Sequence, residues 1–345
     1  PIRASAATPN SHFRFVICKF DRPGPCRALV QALPNSAEYC LLYRWNRVSG
    51  YLAYKRISVH IPAASQVKTH RDGLYSYHSD INIMRIATWN VNSIRQRLDN
   101  ALAWLKESAP DIVCLQEIKC VDEAFPREAF EGLGYNVAVH GQKTFNGVAL
   151  LSKLPFDEVA PGLIGDAADV QARFLEALVS TKSGALRVVS LYLPNGNGGP
   201  EKYSYKLNWM DRLIRFSDER LKLEEPMVLA GDYNVIPTPL DAKRPEVWVN
   251  DALFLPPTRD RFRALTNLGL TDALRAVSDD GGLYTFWDYQ AGAYQKDDGI
   301  RIDHLLLSPQ AADRLIDAGV DRHVRGWDKP SDHVPVYIDL DIAAR

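Results

Sequence analysis

The sequence predicts an α/β fold over residues 84–345, built from mixed sheets covered by helices rather than from one doubly wound parallel sheet. Three observations carry this. Short apolar runs outnumber amphipathic helical stretches, several runs follow one another at hairpin spacing, and helical stretches separate only some of them. Purely parallel sheets would need a crossover between every pair of strands.

Taken in order, MRIATW reads as the first strand. LDNALAWLKESA is a helix with Leu98, Leu102 and Leu105 on one face. DIVCLQ, GVALLSK, FLEALVS and LRVVSLYL read as further strands. A long helix over 201–222 leads into the strand PMVLAGDYNV. Helices near 259–276 precede the strands YTFWDY and IRIDHLLLS, and VPVYIDL closes the chain.

Residues 1–83 behave differently. VICKF and YLAYKRISVHIP have strand character, but RPGP, LPNSAE and IPAAS interrupt any sustained period. The first methionine is Met84, where the confident pattern begins. The expected division is therefore an extension over 1–83 and a catalytic domain over 84–345. Three readings of the extension stand open: sequence upstream of a true start at Met84, a basic targeting segment, or a small domain. The formal charge of −1 conceals an asymmetry. Residues 1–83 carry 11 Lys and Arg against 4 Asp and Glu, which leaves 30 against 38 for the rest. Any polyanion bound by the second part must meet a local basic patch or bound cations, because the overall field repels it.

Nothing approaches the run of about 18 apolar residues that would span a bilayer. Five cysteines without paired spacing offer neither a disulfide framework nor a zinc knuckle, which points to a reducing compartment.

Polar residues collect at predicted strand ends: Asn90 and Asn92 after MRIATW, Glu117 after DIVCLQ, Tyr192 at the end of LRVVSLYL, and Asp232 and Asn234 after MVLAG. Asp303 lies within IRIDHLLLS, and Asp332–His333 precede the last strand. Taken singly, each has an ordinary reading as a turn former, a solvated strand end or a packing residue. Asp303 resists that reading, since a carboxylate inside an apolar strand needs a partner, and His333 is the natural one. Together they form a hard-oxygen set with one imidazole, suited to Mg²⁺ or Mn²⁺ and to phosphodiester hydrolysis.

The ordered motifs WNVNSIR, LQEIK, YLPNG, GDYNV, RIDHLLLS and SDHVPV resemble the exonuclease III branch of the endonuclease/exonuclease/phosphatase superfamily. The resemblance covers 84–345 and none of 1–83. It implies a four-layered α/β sandwich, with two mixed β-sheets packed face to face and helices outside. It also implies a Mg²⁺-dependent DNA-repair phosphodiesterase, with Mn²⁺ as a possible substitute. Such an enzyme cuts duplex DNA 5′ to abasic sites or degrades it from 3′ ends, as a monomer in the cytosol or nucleoid, or in an organelle if 1–83 is a transit segment.

By matching motif, Glu117, Asn90 and Asp332 would hold the metal. Asp232 would orient the attacking water, Asn234 would donate to the phosphate, and His333, held by Asp303, would contact it. Tyr192 would act as phenol or phenolate. Phe286, Trp287 and Ile300 would line a pocket for an extruded abasic sugar, while Asn92, Arg95, Lys143 and Arg301 would contact substrate. The chain departs from the family pattern in two places. The loop PNGNGGPEKYSYK is Gly-rich and lacks an early Arg, and VIPTPLDAKRPEVW matches loosely, most clearly at Asp241. Two other readings compete: a phosphatase or phosphodiesterase acting on a non-nucleic-acid phosphoester, and a catalytically silent DNA-binding protein. No apolar membrane-facing loop supports a phospholipid substrate, and the presence of Glu117, Asp232 and His333 argues against a silent protein.

Overall fold

The computed structural model describes residues 83–344 and, before them, 40–48, 51–59, 68–69 and 75–76. The chain divides between Asp80 and Ile81 into two units. In the first unit, β1 (Cys40–Val48) and β2 (Tyr51–Val59) pair antiparallel along their whole length, as do the two-residue strands β3 (Lys68–Thr69) and β4 (Tyr75–Ser76). The predicted strand VICKF lies outside the described residues.

The second unit contains two six-stranded mixed sheets. One has β5 (Ile83–Asn90), β6 (Ile112–Gln116), β7 (Asn136–His140), β8 (Val148–Ser152), β15 (Leu315–Val320) and β16 (Val336–Asp341), in the order β15-β16-β5-β6-β8-β7. The other has β9 (Glu158–Pro161), β10 (Phe174–Thr181), β11 (Gly184–Tyr192), β12 (Met227–Asp232), β13 (Thr271–Asp272) and β14 (Asp303–Leu307), in the order β13-β14-β12-β11-β10-β9. Each sheet has one parallel pair, β5–β6 and β11–β12; every other pairing is antiparallel. The parallel pairs are the ones that need a crossover helix. Helix α1 (Leu98–Ser108) joins β5 to β6, and α3 (Pro200–Leu221) joins β11 to β12. Short helices α2 (Arg127–Glu131), α5 (Ala273–Val277) and α6 (Pro309–Ala312) and the longer α4 (Pro256–Asn267) complete the set.

Side-chain alternation explains the layers. In β5, Met84 and Ile86 enter the core between the sheets, while Ala87 and Trp89 pack outward with Trp104 and Leu105 of α1. In β12, Val228 and Ala230 enter the same central core, while Met227 and Leu229 pack with Trp209, Met210 and Leu213 of α3. A strand covered on both faces is apolar at most positions, which is why these strands read as apolar runs rather than as alternating ones. The fold is thus two mixed sheets with helices outside. Among the described residues, no helix is long and apolar enough to cross a membrane.

YTFWDY departs from the prediction. It makes no named strand, because Phe286 forms only isolated bridges, to Ile300 on one side and His333 on the other. That double bridge laces the chain segments before β14 and β16 together beside the site.

Candidate active site

Strand register assembles the site. Asn90 ends β5 opposite Gln116, which precedes Glu117; Tyr192 ends β11 opposite Asp232; and Asp232, ending β12, faces Asp303, the first residue of β14. Parallel neighbours end on the same side, and Asn90 and Asp232, 142 positions apart in sequence, meet at one rim. Backbone strain collects there. Glu117 (φ 50°), Asn234 (φ 48°) and Asn92 (φ 43°) all adopt the left-handed region, which costs a non-glycine residue about 1 kcal/mol or more.

Asn90 bridges the two sheets. Its Nδ2 donates to Glu117 Oε1 (2.9 Å) and to Asp232 Oδ2 (3.0 Å), and its Oδ1 accepts from the Asn92 amide (3.0 Å). The Tyr192 hydroxyl donates to Glu117 Oε1 (2.8 Å), and Lys119 Nζ lies 2.7 Å from Oε2. Burial pushes the Glu117 carboxyl up, but Lys119 and the Asn90 amide outweigh it and hold it below the ordinary value. Asn92 links Lys119, whose Nζ donates to its Oδ1 (2.5 Å), with Asp332, whose Oδ1 accepts from its Nδ2 (3.0 Å).

The inner half of the site is a buried carboxylate–imidazole–carboxylate row. Asp303 Oδ2 stands 2.8 Å from His333 Nδ1, the pair expected from sequence, and Asp232 Oδ2 lies 3.7 Å from Nε2. Burial disfavours the imidazolium, yet Asp303 and Asp232 overcome it and raise His333 to about 10. Burial raises Asp232 to about 7, against the opposing pull of His333 and with Asp303 and Glu117 adding to it. Asp232 Oδ1 accepts from the Asn234 amide (2.8 Å). The other oxygen of Asp303, Oδ1, is buried without a hydrogen-bond partner.

The surroundings of Tyr192 disfavour a phenolate. Burial first, then Glu117 and Asp232, raise its hydroxyl well above the ordinary value, so it serves as a donor. Among the expected pocket residues, Phe286 reaches the site, its ring 5.0 Å edge-on from His333. Trp287 and Ile300 do not, since both are buried in the packing behind it. Arg301 is likewise excluded from substrate contact. Only 1% of its side chain is exposed, and it pairs with Asp241 (2.7 Å) and Asp272 (2.8 Å). Arg95 and Lys143 are exposed, on loops that hydrogen-bond to the Glu117–Lys119 segment through Ile94 and Asn146.

Several residues of the site were not singled out from sequence. Lys119, Arg173, Gln171, Asn146 and the exposed Phe145 line, with Glu117 and Tyr192, a cleft of about 440 Å³. Arg173 lies over the Tyr192 ring, 4.7 Å from its centroid. Asn195 Nδ2 donates to Asn234 Oδ1 (3.1 Å). Lys119 lies in LQEIK, two residues from Glu117, and Asn195 in YLPNG, three residues from Tyr192, which is the signal the sequence offers.

The donor chemistry fits a hard divalent cation. Asp232, Asp303 and His333 offer ligand atoms within 4.8 Å of one another, but their imidazolium competes with a cation for the same two carboxylates. Glu117 and Asp332 are only partly buried, so a cation there could keep the waters that Mg²⁺ retains.

The sequence pattern of the endonuclease/exonuclease/phosphatase family matches residues 87–333, and the chain belongs to that family. It is 33% identical over 266 residues to exodeoxyribonuclease III of Haemophilus influenzae, covering 74% of this chain and all of that relative. The structure superposes on an AP endonuclease from Archaeoglobus fulgidus with a TM-score of 0.71 at 36% identity, over 75% of this chain and 99% of the other. It also superposes on the 3′ phosphatase NExo from Neisseria bound to a product DNA hairpin, with a TM-score of 0.72 at 38% identity, over 74% of this chain and 99% of that one. Within the family, the chain is a DNA-repair nuclease.

Proposed function

We propose that the protein is a Mg²⁺-dependent phosphodiesterase that incises duplex DNA 5′ to abasic sites and removes nucleotides or blocking groups from 3′ ends. The observation that carries this reading is the Asn90 bridge, which sets the Glu117 carboxylate and the Asp232 carboxylate on either side of one amide. The activities named for the relatives, an exonuclease, an AP endonuclease and a 3′ phosphatase, support the substrate class.

On this reading Glu117, Asn90 and Asp332 hold Mg²⁺, which when bound neutralises charge on the scissile phosphate. Asp232 orients the attacking water and takes its proton. An acid near 7 is matched to that task at neutral pH. His333, held as a cation through its Asp303 bond, directs Nε2–H at a phosphate oxygen. Asn234 donates its second amide N–H to the phosphate, the first being given to Leu193 O (2.9 Å). Tyr192 gives its only hydroxyl proton to Glu117, so its first task is to fix that carboxylate. Arg95 and Lys143 meet the DNA backbone, Asn92 holds Asp332 in place, and Phe286 walls the sugar pocket. The site is complete within one chain, which supports a monomer. The free, buried Cys114 and Cys120 support a reducing cytosol.

The test uses three duplex oligonucleotides: one with a single synthetic abasic site, one intact, and one ending in a 3′-phosphate. Each is incubated with Mg²⁺ and with EDTA. Cleavage 5′ to the lesion or processing of the 3′ end, abolished by EDTA, is the expected result. If all three substrates stay intact under both Mg²⁺ and Mn²⁺, the reading fails.

A further inference from the structure

The buried residues of helix α3 are Lys206, Trp209, Met210, Arg212, Leu213, Phe216 and Ser217. Trp209, Met210, Leu213 and Phe216 are ordinary core positions at helical spacing, Ser217 bonds back to Leu213 O and Arg212 pairs with Asp169, whereas Lys206 is a lysine with no exposed surface. Its Nζ donates to two backbone carbonyls, Asn234 O (2.6 Å) and Asn195 O (2.9 Å). Among the described residues, no carboxylate lies within ion-pair distance of it. A buried ammonium without a contacting counter-ion is costly and persists only where its donors are used.

Those donors close a ring around Asn234. Asn234 sits in a strained left-handed conformation, its amide N–H fixed to Asp232 Oδ1 and its side-chain oxygen held by Asn195 Nδ2. Lys206 grips the backbone of both asparagines at once. The loop is shaped to admit it: a Cβ on Gly196, at φ 88°, would come within 2.6 Å of Lys206 Cδ. This accounts for one of the glycines in PNGNGG on steric grounds.

We propose that Lys206 is a positioning residue for phosphodiester cleavage, pinning the loop of Asn195 to the turn of Asn234 so that the Asn234 amide is aimed before substrate arrives. The proposal rests on the functional reading above. Burial lowers the lysine to about 7, against Asp232 and Asp251, and the amine in either protonation state keeps enough N–H donors for both carbonyls.

The experiment compares wild type, Lys206→Met, Asn234→Ala and the double variant in single-turnover incision of the abasic duplex. DNA affinity is measured alongside, and the Asn234 side-chain amide resonance is assigned by its loss in Asn234→Ala. Lys206→Met should lower the single-turnover rate about 10- to 100-fold, change DNA affinity less than about threefold, and shift the Asn234 resonance. In the Asn234→Ala background the same substitution should cost less than about threefold, because the two act through one group. An unchanged rate, or an equal loss in both backgrounds, would overturn the proposal. Lys206→Gln, which keeps an N–H donor, serves if the methionine variant does not fold. If neither folds, the lysine belongs to the scaffold alone and the proposal is overturned. An inactive wild type would sink the functional reading by itself. The resonance would then decide the positioning of Asn234 on its own.

Discussion

Replacing Arg301 with methionine separates a phosphate contact from a buried structural ion pair. Arg301 Nε meets Asp241 Oδ1 at 2.7 Å, and Nη1 meets Asp272 Oδ2 at 2.8 Å and His304 Nδ1 at 3.0 Å, all in the interior. Arg275 adds a second bond to Asp241 (2.6 Å), which also caps Thr238. Burial pushes the Asp241 carboxyl up, yet Arg301 and Arg275 together hold it at about 2 against an ordinary 3.8. That difference alone corresponds to about 2 kcal/mol. Adding the unpaired Asp272 carboxylate, removal of Arg301 should cost about 3–5 kcal/mol, the range for leaving buried charges unpaired. Methionine keeps the apolar stem but not the guanidinium, so most of the loss is that of the paired charge. Urea unfolding should show a lower midpoint at unchanged slope. In the folded protein, DNA affinity and its dependence on salt should match wild type. A lost phosphate contact would instead reduce the salt slope by about 0.9. Full stability combined with a shallower salt slope would refute the reasoning and return Arg301 to the DNA interface.

Three further outcomes are expected. Asp232→Asn should lower incision by about 10²–10⁴-fold, the usual range for a lost general base, with DNA binding nearly intact; near-normal turnover in a quench assay would overturn the base assignment. His304 is held near 4, against an ordinary 6.5, by burial and then by Arg301. The unfolded chain therefore takes up a proton below 6.5 that the fold refuses until about 4, and stability should fall by up to about 3 kcal/mol as pH drops through that window. Urea titrations of wild type and His304→Gln from pH 4.5 to 8 check this, and parallel curves would contradict it. A chain beginning at Met84 should keep full nuclease activity, measured on the same abasic duplex, and its failure to fold would show that the preceding residues are needed.

The strands legible in the sequence are those covered on both faces, such as β5, β6 and β12. The strands left unread are edges: β7 and β15 are mostly half-buried, and β9 is exposed throughout. An edge strand lacks the continuous apolar run that marks a central one. The site residues at strand ends were legible because polarity there interrupts a buried pattern. Arg301 was misread because its partners lie 60 and 29 positions away, so a paired cation and a free one look identical in sequence. Lys206 was missed although its helical phase places it on the apolar face, a signal carried by periodicity rather than by residue type.

That difference bears on how the site is held. Glu117 follows a strand of one sheet and Asp232 ends a strand of the other, and the Asn90 amide is hydrogen-bonded to both at 2.9 and 3.0 Å. Hydrogen bonds weaken steeply over a few tenths of an ångström beyond that range, so relative sliding of the sheets would release one carboxylate or the other. What prevents sliding is the central core, where Ile86, Leu150, Leu175, Val188, Val228 and Ile338 interdigitate, reinforced by Gln116, which donates to Ser190 across the sheets (3.1 Å). Packed interiors resist displacement because even small gaps forfeit contact energy. The distance between the proposed metal ligand and the proposed base is therefore set by apolar side chains that touch neither. A large-to-small change such as Val228→Ala should loosen catalysis as well as stability, whereas the same change outside the central core should affect stability alone.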